Sequence, residues 1–244
     1  MKPNFERLHL YLYRRYRALV NSYKSLIRKI LPHKQDPSQA GEAQVLKKLF
    51  DKNYIGTLVE IGAHDGASLS NSSLLIEQGW SALLIEPLPG PYNRLAQKYQ
   101  QNQNVTCLNL AIANTTGSQK FHIGADGPDG MKSTLCQDDN AWFANNKSDV
   151  TIDVSVDILT NVLQRWGKAD HFDLLLVDAE GMDYECLQSL DFELFSPNVI
   201  VTEIYEWNIE KHISKRELLA KQGYSLFRVV SCNEIWVSRR FAQS

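Results

Sequence analysis

Short apolar runs alternate with helix-like segments from about residue 55 to the end of the chain. The runs are rich in Val, Ile and Leu, which is typical of strands that are buried on both faces of a sheet. Five of them are predicted strands: Thr57–Ile61, Ala82–Ile85, Val105–Leu110, Phe172–Val177 and Val199–Thr202. Segments with the three- and four-residue apolar spacing of a helix are Ser68–Gly79, Gly90–Gln100, Val156–Trp166, Asp183–Leu190 and Lys215–Gln222.

The order of these elements predicts the fold class. Strands that alternate with helices form βαβ units, in which the strands lie parallel in one sheet with helices on both faces. Two further runs, Tyr224–Val230 and Glu234–Val237, are separated by a short turn and predict an antiparallel hairpin at the C-terminus. We therefore predict an α/β fold with a doubly wound, mostly parallel seven-stranded sheet that ends in this hairpin.

Residues 1–31 differ from the rest of the chain in charge. They contain eight Lys or Arg residues and one acidic residue, a net charge of +7, which leaves −9 for the remainder of a chain whose total is −2. Apolar residues recur every three or four positions from Leu8 to Ile30, which predicts a basic amphipathic helix. We predict a helical extension and linker over residues 1–41 and one globular domain over residues 42–244.

This predicted helix has two interpretations. Basic residues beside an anionic bilayer contribute roughly 1 kcal/mol each, so residues 1–31 are expected to allow peripheral contact with a membrane. An amphipathic stripe is also the ordinary packing face of a helix on its own domain or on another subunit. Arg and Lys residues interrupt the apolar run repeatedly, so the segment is not expected to cross a bilayer or to act as a secretory signal.

The overall composition excludes several classes of protein. A hydrophobic fraction of 43% and a charged fraction of 22% are typical of a globular domain, not of disordered, fibrous or polytopic membrane proteins. No feature of the composition indicates a nucleic acid partner. The four cysteines lie far apart without a CxxC pair, so we expect reduced thiols and a cytoplasmic protein, either free or at the inner face of a membrane.

Ligands of open α/β sheets bind at the carboxyl ends of the strands, where this sequence has polar residues. The first strand ends in Val59-Glu60-Ile61-Gly62-Ala63-His64-Asp65-Gly66, a turn whose glycines permit a close approach of ligand to backbone. His64 stands where a diphosphate-binding loop has its middle glycine, so a nucleotide-dependent oxidoreductase is disfavoured. The second strand ends in Glu86-Pro87, where a carboxylate either accepts hydrogen bonds from a ribose diol or caps the next helix.

Five segments resemble, in order, the FkbM-type methyltransferases, which are S-adenosylmethionine-dependent O-methyltransferases. The segments are Val59–Gly66, Gly79–Pro87, Ser133–Leu135, Leu176–Gly181 and Val199–Glu203. The resemblance extends from Gln44 to Glu206, about two-thirds of the chain. It implies a Rossmann-like methyltransferase fold and S-adenosyl-L-methionine as the cofactor.

The resemblance also implies where the cofactor lies. Glu60, Gly62 and Asp65 are expected to border its methionine part, Glu86 to hold its ribose, and Ala111–Asn114 to lie near its adenine. The complete set of expected cofactor-binding residues is Glu60, Gly62, Ala63, Asp65, Gly66, Glu86, Pro87, Ala111 and Asp178.

The candidate catalytic residues are Asp178 and Glu180 after the fourth strand, Glu203 after the fifth, and His64 in the first loop. Methyl transfer to a hydroxyl needs the oxygen aligned with the methyl group and the sulfur, and a base helps to remove the proton. Clustered carboxylates raise one another's pKa, so one of them is a candidate base. Such clusters also bind divalent cations or cap helices, and we predict no metal site.

The leading hypothesis is O-methylation of a hydroxyl group on a sugar, a glycolipid or a related metabolite. The alternative is a non-catalytic, membrane-associated binding protein that retains the fold, although the glycines and carboxylates of the loops favour an enzyme. The turn-rich segment Gly124–Gly130 is expected either to close over the substrate or to be a surface loop. Trp142 and Phe143 are either lid aromatics or core residues.

Overall fold

The computed structural model describes residue 38 and residues 41–136, 146–168, 172–205 and 207–243. The helices are α1 Glu42–Leu49, α2 Ser73–Glu77, α3 Pro89–Tyr99, α4 Leu159–Trp166, α5 Asp183–Gln188 and α6 Ile209–Lys221, with a final 3₁₀ turn at Phe241–Gln243. The strands are β1 Thr57–Ile61, β2 Ser81–Ile85, β3 Val105–Leu108, β4 Ala111–Ile112, β5 Gly117–Gly124, β6 Lys147–Asp157, β7 Leu174–Val177, β8 Val199–Glu203, β9 Tyr224–Val230 and β10 Asn233–Ser238.

The predicted extension over residues 1–31 and the pair Trp142 and Phe143 lie outside this description, as does the predicted linker apart from residues 38 and 41. In the described part of the chain, no helix is long and apolar enough to cross a bilayer.

Seven strands form the main sheet in the order β3-β2-β1-β7-β8-β10-β9. The pairs β1·β2, β2·β3, β1·β7 and β7·β8 are parallel, whereas β10 is antiparallel to both β8 and β9. The chain runs outward from β1 to β3 and then returns to β7 on the other side of β1, so the sheet is doubly wound. The predicted fold class is therefore confirmed, including the C-terminal hairpin.

Helices cover both faces of the main sheet. Alternate residues of a strand face opposite sides, and both sides of the central strands are buried. On one face, Val59 and Leu175 pack in a cluster that includes residues of α4, α5 and α6. On the other face, Leu58 and Leu174 pack with residues of α1, α2 and α3. This burial on both faces explains the uninterrupted apolar runs, and it leaves the carboxyl ends of the strands for ligands.

A second sheet, in the order β4-β6-β5, was not predicted from the sequence. Strands β5 and β6 pair antiparallel and form an insertion between β4 and α4. Phe121 and Ile123 of β5 and Val154 of β6 pack against Leu88 and Leu135 in a third cluster. Because β5 is buried only toward its end, its apolar residues are too few to form the long run that marks a central strand.

The helix predicted over Ser68–Gly79 begins only at Ser73. Leu69 has a φ of 56°, a left-handed conformation that a right-handed helix excludes. The Ser70 hydroxyl oxygen accepts the Ser73 N–H at 3.1 Å, so local side-chain bonds replace the first helical turn. The residues between β1 and α2 are thus free to form a pocket wall.

Two other helix boundaries also differ from prediction. The helix predicted over Val156–Trp166 begins at Leu159, because Val156 and Asp157 pair with β4 at the end of β6. The helix predicted over Lys215–Gln222 begins earlier, at Ile209, because the side chain of Asn208 accepts the Lys211 N–H at 3.0 Å and caps the helix.

Candidate active site

A pocket opens at the carboxyl ends of β1, β2 and β7. It contains about 1150 Å³ of space free of protein atoms, part of which is open to solvent. Its walls come from the loops after β1, β2 and β7 and from the insertion, which contributes residues such as Met131 and Leu135. The strand order reverses between β1 and β7, and this is where open α/β sheets bind their ligands.

Gly62 brings the β1 loop against the β7 loop. Its φ is 82°, a left-handed conformation that favours glycine. A Cβ atom at this residue would lie 1.9 Å from the carbonyl oxygen of Asp178. The N–H groups of Gly62 and Ala63 donate to the carbonyl oxygen of Ile85 at 2.9 and 3.1 Å. Three strand ends are thereby held together at the base of the pocket.

Glu60, Asn71 and Asp178 form an acceptor-rich wall. Glu60 is buried, and this burial raises its pKa to about 7 even though Ser72 donates a hydrogen bond to it at 2.5 Å. Burial also raises the pKa of Asp178, and nearby Asp183 raises it further. The Asn71 Oδ1 and Asp178 Oδ1 atoms are buried and have no hydrogen-bond partner among the described residues. Because buried acceptors are normally satisfied, this wall fits a ligand that brings N–H donors and positive charge.

Glu86 lies at the end of β2 and is also buried. Its Oε2 accepts the His64 N–H at 2.9 Å, and its Oε1 accepts the Leu88 N–H at 2.8 Å. Burial raises the pKa of Glu86, although these two N–H groups oppose the shift. Leu88 is the N-cap residue of α3, so Glu86 supports the start of that helix. An ionised carboxylate offers about four acceptor sites, so Glu86 can also accept the hydroxyl groups of a ligand.

Asp65 and Gly66 are not among the residues that line the pocket. The Asp65 carboxylate accepts the N–H groups of Ala67 and Ser68 and the Ser68 hydroxyl, at 2.7 to 2.9 Å. Burial opposes ionisation of Asp65, but these hydrogen bonds outweigh it and lower its pKa to about 2. Asp65 therefore stabilises the turn of the β1 loop.

His64 connects the β1 loop to the insertion. It lines the pocket, and its Nε2 lies 2.9 Å from the carbonyl oxygen of Asp129. Because a carbonyl oxygen only accepts, this contact places a proton on Nε2. The other ring nitrogen, Nδ1, lies 3.6 Å from a carboxylate oxygen of Asp65. Arg94 of α3 forms an ion pair with the Asp129 side chain at 3.0 Å. The predicted turn segment Gly124–Gly130 is thus tied to the pocket, and Gly130 is part of its lining.

Glu180 lines the pocket from the β7 loop. Burial raises its pKa well above the ordinary value, and the carboxylates of Asp178, Asp183 and Asp126 raise it further. Its φ is 47°, in the left-handed region. The pocket therefore holds a carboxyl group that keeps its proton to an unusually high pH and is correspondingly a stronger base once it is ionised.

Glu203 lies behind this wall and is not among the lining residues. Burial raises its pKa, and so do neighbouring Glu180, Asp178 and Asp183. The ammonium group of Lys215, which is fully buried, donates to the carbonyl oxygen of Glu203 and counteracts the shift. Glu203 can therefore influence the charge of the site, but it does not face the pocket.

Asp183 fixes the β7 loop to β8. Its Oδ1 accepts the Ala179 N–H at 3.0 Å, and its Oδ2 accepts the Thr202 hydroxyl at 2.7 Å and the Glu203 N–H at 2.9 Å. Because the Asp183 carboxylate accepts three hydrogen bonds from the protein and is not exposed, it is not available to a ligand. In the sequence it is only an acidic residue near the start of a helix, so its structural role was not predicted.

The structure brings most of the predicted residues into one pocket. Seven of the nine expected cofactor residues line it, namely Glu60, Gly62, Ala63, Glu86, Pro87, Ala111 and Asp178. Three of the four catalytic candidates also line it, namely His64, Asp178 and Glu180. Asn71 was not predicted because it lies inside a stretch that reads as a helix. In the described part of the chain, no group of three or more His, Cys, Asp or Glu residues could hold a metal ion.

Several solved methyltransferase structures resemble this chain at low identity. The methyltransferase FkbM from Methylobacillus flagellatus KT is 12% identical with a TM-score of 0.49, and the match covers 75% of this chain and 43% of that chain. Precorrin-6y C5,15-methyltransferase from Geobacter metallireducens GS-15 is 13% identical with a TM-score of 0.45, covering 85% and 92%. Fibrillarin from Aeropyrum pernix, in complex with natively bound S-adenosyl-L-methionine, is 10% identical with a TM-score of 0.45, covering 80% and 71%. At these values the likeness does not bear on the substrate.

A comparison with curated protein sequences gave no significant match. By contrast, the family model for the methyltransferase FkbM domain matches residues 60–226, about two-thirds of the chain. The match begins at Glu60 and includes the β1, β2 and β7 loops and the insertion. The resemblance found in the sequence is thereby confirmed. The chain belongs to the FkbM methyltransferase family, and its methyl donor is S-adenosyl-L-methionine.

Proposed function

We propose that this methyltransferase methylates a hydroxyl oxygen on a sugar, a glycolipid or a related small molecule, with Glu180 as the general base. The observation that carries the proposal is the position of Glu180, which lines the pocket together with Asp178 and whose raised pKa reflects burial and that neighbouring carboxylate. A hydroxyl acceptor must lose its proton as its oxygen attacks carbon, and a base of raised pKa promotes that step.

The pocket residues fit the cofactor in charge and in hydrogen bonding. The acceptor-rich wall of Glu60, Asn71 and Asp178 suits the ammonium group of the methionine part. The carboxylates of Glu60 and Asp178, when ionised, compensate its positive charge. Glu86 lines the pocket at the end of β2, which supports its role as the acceptor of the ribose hydroxyls. Apolar residues at Leu110–Ile112 line the pocket and suit the adenine ring. When bound, S-adenosyl-L-methionine supplies an electrophilic methyl group on a sulfonium.

The remaining chemistry belongs to the protein. The insertion and the β7 loop line the pocket and would orient the acceptor hydroxyl, and such orientation would supply much of the acceleration. Glu180 accepts the hydroxyl proton, and the neighbouring carboxylates keep its proton affinity high. Since only ionised Glu180 accepts a proton, kcat is expected to rise with pH through its raised pKa and to level off above it.

A methyl-transfer screen of the purified full chain tests the proposal. Glycan, lipid and metabolite pools are incubated with S-adenosyl-L-methionine carrying a labelled methyl group, and the labelled products are identified by mass spectrometry. An O-methyl ether is expected, and a methylated nitrogen or carbon would contradict the choice of acceptor atom.

The Glu180→Gln variant tests the base, and Glu193→Gln, at an exposed residue outside the pocket, is its matched control. Glu180→Gln is expected to lower kcat by about 10²–10⁴ and to change cofactor affinity little. If Glu180 only supports the loop, the variant will lose about 1 kcal/mol of stability and keep its rate.

A further inference from the structure

The segment Ser133-Thr134-Leu135 of the insertion packs directly on the β7 loop. The Thr134 hydroxyl donates to the carbonyl oxygen of Glu180 at 2.7 Å, and the Thr134 hydroxyl oxygen accepts the Cys136 N–H at 2.9 Å. The backbone of Thr134 exchanges two hydrogen bonds with His122 of β5, at 2.8 and 2.9 Å. Thr134 is only 1% exposed, so the second sheet holds this hydroxyl group in one position.

The contact occurs where the backbone is strained. Glu180 has a φ of 47° and Gly181 a φ of 94°, so two consecutive residues adopt the left-handed region. Glycine tolerates that region, but a residue with a side chain adopts it at an energetic cost. A hydrogen bond to the Glu180 carbonyl offsets this cost only while the carbonyl points at Thr134. Rotation of Glu180 to a right-handed conformation would turn its carbonyl away and redirect its side chain.

We propose that Thr134 is a positioning residue, whose hydroxyl group holds Glu180 in the left-handed conformation that directs its carboxyl group into the pocket. The proposal deepens the proposed function, because it explains how the insertion sets the orientation of the general base. It also assigns a role to the Ser133–Leu135 segment, one of the five segments that carry the family resemblance.

The hydroxyl group, rather than the size of the side chain, is the property that matters. Serine keeps both hydrogen bonds, whereas valine matches the shape of threonine and leaves the Glu180 carbonyl and the Cys136 N–H without their partner. Alanine removes the hydroxyl without adding bulk, so it carries the test if the valine variant does not fold. Thr160 is a matched control, because its hydroxyl likewise donates to a carbonyl, that of Ser189 at 2.8 Å, and accepts a backbone N–H at 2.7 Å.

The test is a carboxyl titration of the full chain by NMR with ¹³C-labelled glutamate, in which Glu180→Gln identifies the resonance. The groups that act on Glu180 are Asp178 and Asp183 near its own loop, Glu203 of β8, and Asp126 and Lys132 of the insertion. Thr134→Val and Thr134→Ala are expected to lower the apparent pKa of Glu180 by at least one unit, because its carboxyl group leaves this buried surrounding. Thr134→Ser and Thr160→Val are expected to leave it unchanged.

Turnover provides the second readout. With an acceptor from the screen, Thr134→Val is expected to lower kcat at least tenfold while the Kd of S-adenosylhomocysteine stays within twofold, and serine is expected to restore the rate. An unchanged Glu180 titration in both Thr134→Val and Thr134→Ala overturns the proposal. The titration requires neither cofactor nor acceptor, so it remains decisive even if Glu180→Gln keeps its rate and the base assignment fails.

Discussion

The Gly62→Ala substitution tests how closely the β1 and β7 loops must approach. The added Cβ atom would lie 1.9 Å from the Asp178 carbonyl oxygen, whereas Cβ atoms essentially never come closer than 3.0 Å to another heavy atom. The loops must therefore separate by at least 1.1 Å, the difference between these two distances. The atom in the way belongs to the backbone, so no side chain can rotate to relieve the contact.

Gly223→Ala is the matched control for this substitution. Gly223 has a φ of 86°, almost the same as the 82° of Gly62, but a Cβ atom there meets no other atom within 4 Å. Both variants are expected to lose about 1–2 kcal/mol of stability from the left-handed conformation. The additional effects of Gly62→Ala then report the contact with Asp178 alone.

Gly62→Ala is expected to weaken binding of S-adenosyl-L-methionine at least tenfold and to lower kcat by about 10²-fold, since a misplacement of 1 Å is enough for a loss of that size. Gly223→Ala is expected to keep the wild-type Kd. Isothermal titration calorimetry gives the affinities, and urea unfolding gives the stabilities. Equal cofactor affinity in both variants would refute the view that the close contact between the β1 and β7 loops shapes the cofactor site.

Three further predictions concern charge. Glu86→Gln is expected to weaken the binding of S-adenosyl-L-methionine by roughly 1–3 kcal/mol, measured by calorimetry. An unchanged Kd would show that Glu86 is not part of the cofactor site. Burial raises the pKa of Glu60 to about 7 from its ordinary value of 4.5, so the folded state binds the proton more tightly and loses stability as pH rises between these values. Glu60→Gln is expected to reduce this loss in urea unfolding between pH 4.5 and 7. Deletion of residues 1–31 is expected to abolish salt-sensitive sedimentation with anionic vesicles, whereas equal sedimentation would favour a packing role.

The strands and the main loops could be predicted from the sequence because their signals are local. Strands buried on both faces must be apolar throughout, so the runs at Thr57–Ile61 and Val199–Thr202 stand out without knowledge of their partners. In a parallel sheet the carboxyl ends meet at one edge, so Glu60, Gly62 and Glu86 could be placed together from their positions at the ends of strands. The family resemblance rests on these same local segments.

The tertiary structure alone decided which polar residues face the pocket. Asp65 and Glu203 lie near the carboxyl ends of strands just as Glu60 and Glu86 do. The Asp65 carboxylate nevertheless accepts hydrogen bonds within its own loop, and Glu203 does not line the pocket. Asn71 faces the pocket because local hydrogen bonds delay the start of α2, a competition that helical periodicity does not reveal.

Contacts between distant segments likewise could not be predicted from the sequence. Thr134 and Glu180 lie 46 residues apart and meet only because the second sheet packs at the carboxyl edge of the first. Their hydrogen bond needs only one hydroxyl and one backbone carbonyl, so it imposes no pattern of residues on either segment of the sequence. The sequence by itself determined the sheet and the place of the cofactor loops, through burial and strand direction. The orientation of the carboxyl groups was decided by single long-range contacts that exist only once the chain is folded.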